Sequence, residues 1–284
     1  MRSTLTPRRG VALIAVLWLV AAMALITSGV VHSVRGEIRS VGTGKSTLVA
    51  TAQADAAILI YLQGIQSQPQ RQLVALEDKV VNFQGVEIRV VARALNGFID
   101  INSAPVNLLA DLYRYVGGLD ARSAELLAQA TVDTRQVRSK SGQKVAFEAV
   151  EELLRVPKID YALYAKLHSL VTAEVVNGSG KVNPLAAPTG VLMILAGGSA
   201  PRAMELAARR DAAPNLMDTT FFQPAHIETS VSRSMRLQTF VDLKDGRLVE
   251  RSWDVYLGDD SRTGLPWRVI GTSNPTIQQA AANG

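Results

Sequence analysis

The chain has 284 residues, of which 48% are hydrophobic and 19% charged, so it carries enough apolar side chains to form a sizeable core. This composition excludes an intrinsically disordered chain, because disordered segments have too few apolar residues to offset the entropy lost on folding. The net charge of +5 comes from basic residues spread along the sequence and indicates only a weak preference for anionic partners. Because the sequence contains no Cys, disulfide bonds and thiolate chemistry are excluded.

The first predicted element is an apolar segment, residues 11–31, which contains no ionisable side chain. About 20 consecutive apolar residues are long enough to span a membrane as a helix. Arg2, Arg8 and Arg9 come before it, and positive charge next to a span marks the cytoplasmic side. We therefore predict one transmembrane helix, with the chain from His32 onward across the membrane.

Three interpretations of this segment are open: a cleaved signal peptide, an uncut anchor and a prepilin-type processing site. The small-x-small sequence Ala22-Met23-Ala24 that a signal peptidase requires lies inside the apolar run. A single Gly10 stands between the basic leader and Val11, and this arrangement resembles the cleavage site of type IV prepilins and type II secretion pseudopilins. In that family a prepilin peptidase cuts after the Gly and the new N-terminus is methylated. The resemblance implies cleavage between Gly10 and Val11.

The residues after Gly10 narrow the resemblance to one class. Pilins and most pseudopilins begin the mature chain with Phe and carry Glu at its fifth position, where this sequence has Val11 and Ala15. The minor pseudopilin K class of type II secretion lacks that Glu, and the run from Gly10 to Leu17 is similar to its N-terminus. The resemblance implies that the helix, with Ala15, Val16 and Trp18, contacts other pseudopilins in a filament.

Residues 37–68 keep helical spacing, and a helix continuous with the apolar segment would have about 58 residues and a length of roughly 85 Å. The alternative is an anchor, a glycine-containing stalk and a separate helix. The predicted buried stripe consists of Ile38, Val41, Leu48, Ala52, Leu59 and Leu62. Residues 42–47 end like a phosphate-binding loop, but Arg39 occupies a position where that motif requires Gly, so we reject nucleotide binding.

Two segments of alternating hydrophobicity predict antiparallel strands. In the first, the alternation from Val86 to Ala92 leads through Asn96-Gly97 into a run that begins at Phe98, which predicts a hairpin with its turn at Asn-Gly. In the second, Asp245-Gly246 separates two alternating runs and predicts another hairpin. Because an isolated two-stranded ribbon is only marginally stable, we expect both hairpins to belong to one sheet.

The region between these hairpins is predicted to be helical and contains a repeat. Residues 122–128 match residues 202–208, and a Gly-Gly pair precedes each copy at equal spacing. Two further helices are predicted at 147–154 and 159–171. The units resemble helix-hairpin-helix or SAM-like modules, which occur both in DNA-binding competence proteins and in the helical domain of pseudopilin K.

The repeat leaves two function classes open. A DNA-binding hairpin needs several basic side chains around its turn and the following helix N-terminus. Only the turn at the second copy, 202–208, looks basic, with Arg202, Arg209 and Arg210 near it. The basic residues of the loop 135–144 lie in a Ser/Gly-rich stretch. We therefore favour a scaffold that presents a protein surface. The alternative is a membrane-tethered periplasmic DNA-binding protein of the competence type.

No catalytic or cofactor motif is recognisable, so we expect a non-enzymatic protein without a cofactor. The histidines are scattered along the chain at His32, His168 and His226, and no Ser has the surroundings of a nucleophile elbow. Calcium is an open alternative, since some pseudopilins bind it and a group of acids near the C-terminus could supply oxygen ligands. These acids are Asp242, Asp245, Asp254, Asp259 and Asp260, and their spacing matches no calcium-binding loop.

The predicted fold class is α+β: a long N-terminal transmembrane and amphipathic helix on a small antiparallel-sheet, pilin-like domain with a large inserted all-α domain. The predicted boundaries are a leader at 1–10, a transmembrane segment at 11–31, a pilin-like domain at 32–102 and 226–273, an inserted domain at 103–225 and a flexible tail at 274–284. The resemblance implies a minor pseudopilin of the inner membrane that caps the tip of the periplasmic pseudopilus and helps start its assembly. Its expected partners are other minor pseudopilins, the prepilin peptidase and the membrane, with no specific nucleic acid.

Overall fold

The computed structural model describes residues 9–67, 72–136, 146–174, 178–212, 217–243 and 245–279, and within helix α1 it leaves the side chains of residues 9–15 and 24–43 undescribed. The chain forms two compact units, Met1–Ala52 and Gln53–Gly284. Most of the predicted leader, residues 1–8, therefore lies outside the described residues.

The elements follow one another in the order helix, strands, helices, strands. The α-helices are α1 (Arg9–Gln66), α2 (Val106–Tyr115), α3 (Ala121–Gln136), α4 (Tyr161–Leu167), α5 (Thr189–Leu195) and α6 (Ala200–Ala212). The strands are β1 (Leu76–Phe83), β2 (Val86–Ala94), β3 (Ile99–Asp100), β4 (Val171–Thr172), β5 (Ser234–Asp242), β6 (Arg247–Leu257), β7 (Trp267–Thr272) and β8 (Thr276–Gln279). Short 3₁₀ helices occupy Leu95–Gly97, Val150–Arg155 and His168–Leu170.

Helix α1 is continuous over 58 residues, which confirms the prediction of one long helix and disagrees with the glycine-stalk alternative. The segment 42–47 lies inside this helix. Backbone amides in a helix interior donate to carbonyl groups of the preceding turn, so they are not free to cradle a phosphate.

One antiparallel sheet contains six of the strands, as predicted from the two alternating segments. The strand order is β1-β2-β5-β6-β7, and β8 pairs with β6 beside β7. The hairpin of β5 and β6 has the predicted turn, in which Gly246 adopts a φ of +80°. On β5 the inward positions Met235, Leu237 and Val241 are buried, as their alternation predicts. The hydrophobic pattern and the turn therefore specify the same register.

The first predicted hairpin is wrong in its turn. Strands β1 and β2 are joined at Gln84-Gly85, where both residues have positive φ angles of 52° and 77°. Asn96-Gly97 instead lies in a 3₁₀ helix at the end of β2, and the residues after it form β3, which pairs in parallel with β4. Asn96 is held there because its side-chain amide donates to Ser230 O at 2.8 Å.

The predicted repeat is a pair of helical hairpins, α2–α3 and α5–α6, each with a Gly-Gly turn. Its register differs by one residue from the sequence match, because the buried positions Ala124 and Leu127 of α3 correspond to Ala203 and Leu206 of α6. Two residues separate the second Gly from α3, whereas Ser199 alone separates it from α6. The shorter turn shifts the second helix so that the same apolar face still points inward.

The two helices predicted between the copies are shorter than expected. The segment 147–154 is a bend followed by the 3₁₀ helix at Val150–Arg155. The segment 159–171 contains the seven-residue α4 and a 3₁₀ turn, and its last residue, Val171, belongs to β4. Pairing of β4 with β3 stops the helix at this point.

The helical segment has a continuous core that runs from Ile99 to Phe222, yet residues 53–284 form one compact unit. The boundaries predicted for an inserted domain therefore stay predictions. At the C-terminal end the expected flexible tail is partly wrong, since Thr276–Gln279 pair with Arg247–Glu250 of β6. The free edge of β6 beyond β7 satisfies the hydrogen bonds of these residues, and residues 280–284 lie outside the description.

Candidate functional site

The C-terminal part of α1 packs on the sheet through a face that differs from the predicted stripe. The buried residues of this part are Ala54, Ala57, Ile58, Tyr61 and Leu62. Leu59, which was predicted to be buried, is exposed, and of the predicted stripe in this part only Leu62 is buried. Because α1 has apolar residues on all sides, its periodicity could not identify which side meets the sheet.

A polar contact fixes the orientation of this face. One carboxylate oxygen of Asp55 accepts hydrogen bonds from Arg251 Nε at 3.0 Å and from Trp253 Nε1 at 2.9 Å, both on β6. One turn and a half further along, the Tyr61 hydroxyl donates to Glu77 of β1 at 2.6 Å. Asp55 is not part of the predicted stripe, although a single acid within an Ala-rich apolar stretch is a signal for such a contact.

The opposite side of α1 in this unit leaves apolar side chains uncovered. Leu59 and Ile60 are exposed, and nothing in the described part of the chain covers them. Apolar side chains in a row on a helix are typical of surfaces that another helix covers. This side of α1 is our candidate partner face.

In the N-terminal unit, residues 16–23 of α1 are also apolar and exposed. Val16 and Trp18, two of the predicted partner residues, are 61% and 73% exposed. Gly10, Val11 and Ala15 lie within α1, but their side chains are outside the description.

A search of the described side chains finds one helical stretch, Gly44–Gln66, long and apolar enough to cross a membrane, of which 33% is buried. Much of that apolar content serves packing on the sheet, because Ala57, Ile58 and Leu62 belong to the core. The exposed run from Val16 to Met23 carries no such packing, so it is the better candidate for an anchor.

The arginines that the DNA-binding alternative requires are engaged with the protein itself. Arg210 is 1% exposed and donates to the Ala187 carbonyl and to Asp211. Arg209 forms an ion pair with Glu205 at 2.6 Å, and Arg202 stacks over an aromatic ring. A buried arginine cannot contact a phosphate, so the structure gives the competence-type alternative little support. Of the basic loop 135–144, residues 137–144 lie outside the description.

Three of the five acids considered as calcium ligands have separate partners. Asp254 pairs with Arg236 at 2.8 Å and Asp245 with Arg247 at 2.6 Å, while Asp260 accepts a hydrogen bond from the Arg262 amide. Backbone and side-chain hydrogen bonds from its own loop lower the pKa of Asp260. Among the described residues no group of three or more His, Asp or Glu side chains is placed to hold a metal ion.

A comparison of folds finds a chain of the GspK-GspI-GspJ complex from the enterotoxigenic Escherichia coli Type 2 Secretion System. The TM-score is 0.52, the match covers 84% of this chain and 98% of that chain, and 15% of the residues are identical. No family model and no curated protein matches the sequence. The likeness is one of fold, and it supports the resemblance to a K-class pseudopilin that the N-terminal sequence and the helical repeat indicate.

Proposed function

We propose that this protein is a minor pseudopilin of the K class in a type II secretion system, a non-enzymatic subunit of the periplasmic pseudopilus. The observation that carries this proposal is the likeness in fold to a chain of the GspK-GspI-GspJ complex over 84% of the sequence. The N-terminal part of α1 anchors the protein in the inner membrane, and the residues from His32 onward lie in the periplasm.

The candidate partner face supports an assembly role. Leu59 and Ile60 offer apolar area that another helix can bury, at a gain of about 25 cal/mol for each Å² removed from water. The partners are other minor pseudopilins. The matched chain likewise comes from a complex of three proteins, GspK, GspI and GspJ.

Ala15 supports a position at the tip of the filament, with a part in starting its assembly. In pilins the Glu at this position pairs with the N-terminal ammonium of a neighbouring subunit, and a charge among apolar helices is tolerable only when it is paired. Ala15 offers no carboxylate, so this subunit cannot make that pairing. A terminal subunit has no need of it.

Cysteine crosslinking tests the partner face, and the chain offers a clean background because it contains no Cys. We expect Leu59→Cys to form disulfides with cysteines on the N-terminal helix of a second minor pseudopilin in native membranes. Ala57→Cys is the matched control, since it lies two residues away and is buried against the sheet. Equal crosslinking of the two variants, or crosslinks spaced regularly along the filament shaft, would contradict the proposal.

Processing of the N-terminus is tested at Gly10. We expect the native chain to be cut between Gly10 and Val11, and Gly10→Val to retain the leader, because a bulky residue at the scissile position blocks an extended backbone from a narrow cleft. Mass spectrometry of the membrane fraction measures both. A mature N-terminus near Ala24, or no cleavage of the native chain, would remove the prepilin-type reading of the leader.

A further inference from the structure

A polar cavity lies on the helical segment, away from α1. Its volume is about 510 Å³, and its walls come from α2, α3 and the loop that precedes Ile227. This volume falls within the range of about 300–1,000 Å³ that is usual for ligand sites. We call it the α2–α3 cavity.

The polar lining of this cavity includes two carboxylates and a side-chain amide. Asp111 of α2 and Glu125 of α3 supply carboxylates, and Gln223 supplies an amide. Within the described part of the chain neither carboxylate has an ion pair or accepts a hydrogen bond. Burial raises the pKa of Asp111, and the nearby His226 and Arg114 only partly oppose this effect.

His226 gives the cavity a fixed wall. It is 5% exposed, and its Nε2 lies 2.7 Å from the side-chain amide of Asn107 on α2. Its backbone is held on both sides, since its amide donates to Gln223 O and its carbonyl accepts from Val182 N. The other ring nitrogen makes no hydrogen bond within the described residues. Burial and these hydrogen bonds therefore hold the imidazole in place, and one of its ring nitrogens is not used by the described residues.

The charge of the lining selects the kind of ligand. The chain as a whole carries a net charge of +5, yet no Lys or Arg lines this cavity. Arg114, which with His226 partly offsets the rise that burial causes in the pKa of Asp111, packs its guanidinium over the ring of Tyr115 at 5.3 Å. No three side chains are placed to hold a metal among the described residues. Ionised carboxylates only accept hydrogen bonds, so Asp111 and Glu125 favour a ligand that brings its own donors.

We propose that the α2–α3 cavity binds an arginine side chain presented by a partner protein. A guanidinium carries five donors in a planar fork, which suits two carboxylates and an amide oxygen, and its flat face packs on the aliphatic floor that Val106 and Ala110 provide. The volume leaves room for the backbone on either side of the arginine. This site goes beyond the pseudopilin role and does not depend on it.

The test uses the full-length chain in detergent micelles and two five-residue peptides, acetyl-Gly-Gly-Arg-Gly-Gly-amide and its citrulline analogue. Citrulline keeps the shape of arginine without its charge. Ligand-observed NMR titrations give the dissociation constants. Hydrogen bonds to charged groups are worth about 1.5–3 kcal/mol, so we expect the arginine peptide to bind about 10- to 100-fold more tightly than the citrulline peptide. A lysine peptide should fall between them, because an ammonium is a point charge without a fork.

Two variants locate the binding. Asp111→Asn should weaken the arginine peptide about tenfold. Asp133→Asn removes the same charge from an exposed position of α3 outside the cavity, and it should weaken binding less than about twofold because exposed charges are screened. If Asp111→Asn fails to fold, Glu125→Gln takes its place. Because Glu125 lies at an exposed position, this variant should weaken binding of the arginine peptide only about threefold.

Equal affinities for the arginine and citrulline peptides would overturn the proposal, as would equal effects of Asp111→Asn and Asp133→Asn. Zn²⁺ is added in a separate titration. Tight Zn²⁺ binding that displaces the peptide and disappears in His226→Gln would assign the cavity to a metal instead.

Discussion

The contact between Asp55 and strand β6 makes a specific prediction about stability. Replacing Asp55 by Ala removes the acceptor of two hydrogen bonds, from Arg251 Nε and Trp253 Nε1. The pair is mostly shielded from water, since the side chains of Arg251 and Asp55 are 15% and 31% exposed. The variant leaves the Arg251 guanidinium against the helix without its counter-charge.

The magnitude follows from these two bonds. Hydrogen bonds to charged groups contribute about 1.5–3 kcal/mol when buried, and partial exposure reduces that figure, so we expect the free energy of unfolding to fall by about 2–3 kcal/mol. For a domain of this size the midpoint of thermal unfolding should fall by about 4–10 °C. Asp55→Asn keeps an acceptor oxygen and loses the charge, and it should cost about half as much.

Tryptophan fluorescence during thermal unfolding measures the effect, because Trp253 takes part in the contact and reports on it directly. Asp78→Ala is the control, since Asp78 forms a comparable pair with Arg89 in which both side chains are well exposed, at 45% and 60%. That exposed pair should contribute less than about 1 kcal/mol. If Asp55→Ala loses no more stability than Asp78→Ala, the reasoning about this contact is refuted.

Two further predictions concern the helical hairpins. Gly118 and Gly198 both have positive φ, so replacing either by Ala should lower the free energy of unfolding by about 1–2 kcal/mol through backbone strain alone. Gly198→Ala should lower it by at least about 1 kcal/mol more, because the new Cβ would lie 2.4 Å from the Tyr115 ring. The site of Gly118 is open, so Gly118→Ala adds no such clash. Arg210→Met should lower the free energy of unfolding by about 2–3 kcal/mol by leaving a buried carbonyl without its donor, and the exposed Arg209→Met by less than about 0.5 kcal/mol. Thermal unfolding of each pair of variants decides both, and equal losses within a pair would contradict the stated cause.

The parts of the fold that sequence analysis predicted correctly are those where local signals agree. The β5–β6 hairpin has apolar inward positions such as Leu237 and Val249 on both strands, and Asp245-Gly246 supplies the turn that their register requires. Helix α1 was predictable in length because its apolar segment and its amphipathic segment share one helical period.

The incorrect predictions arose where tertiary contacts decide among local alternatives. Asn96-Gly97 has the sequence of a hairpin turn, but the chain uses it for close packing, since a Cβ on Gly97 would lie 2.6 Å from that of Ala186. The turn that does form, Gln84-Gly85, carries a weaker sequence signal. The candidate site shows the same limit, because the all-round apolar character of α1 could not distinguish the buried Ile58 from the exposed Leu59.

The cavity was also invisible to sequence analysis, for a different reason. His226 lies far from Asp111 along the chain, and their approach depends on the parallel bridge between Val182 and Ile227, which no local pattern predicts. A lone histidine is more often a satisfied core residue than a functional one, so no sequence pattern distinguishes His226 from the other two histidines. The packing around its ring is what identifies the site.

The small sheet accommodates a long helical segment between two of its paired strands because of the way the segment is joined to it. Strands β2 and β5 are hydrogen-bonded neighbours although all the residues from Leu95 to Arg233 lie between them in sequence. The entropic free-energy cost of closing such a loop rises by only about 0.6 kcal/mol for each doubling of its length. The length of the segment alone therefore destabilises the sheet little. What the sheet requires is that the two ends of the segment be fixed together.

Ser230, just before β5, supplies that fixed point. Its carbonyl accepts a hydrogen bond from the side-chain amide of Asn96 where the chain leaves β2, and another from the side-chain amide of Asn183, which precedes α5, both at 2.8 Å. A third link runs from Arg93 of β2 to Ala186 O at 3.3 Å. The residues that enter the helical segment, precede its second hairpin and leave it therefore meet at one carbonyl, and these hydrogen bonds fix the two ends of the segment together as the sheet requires.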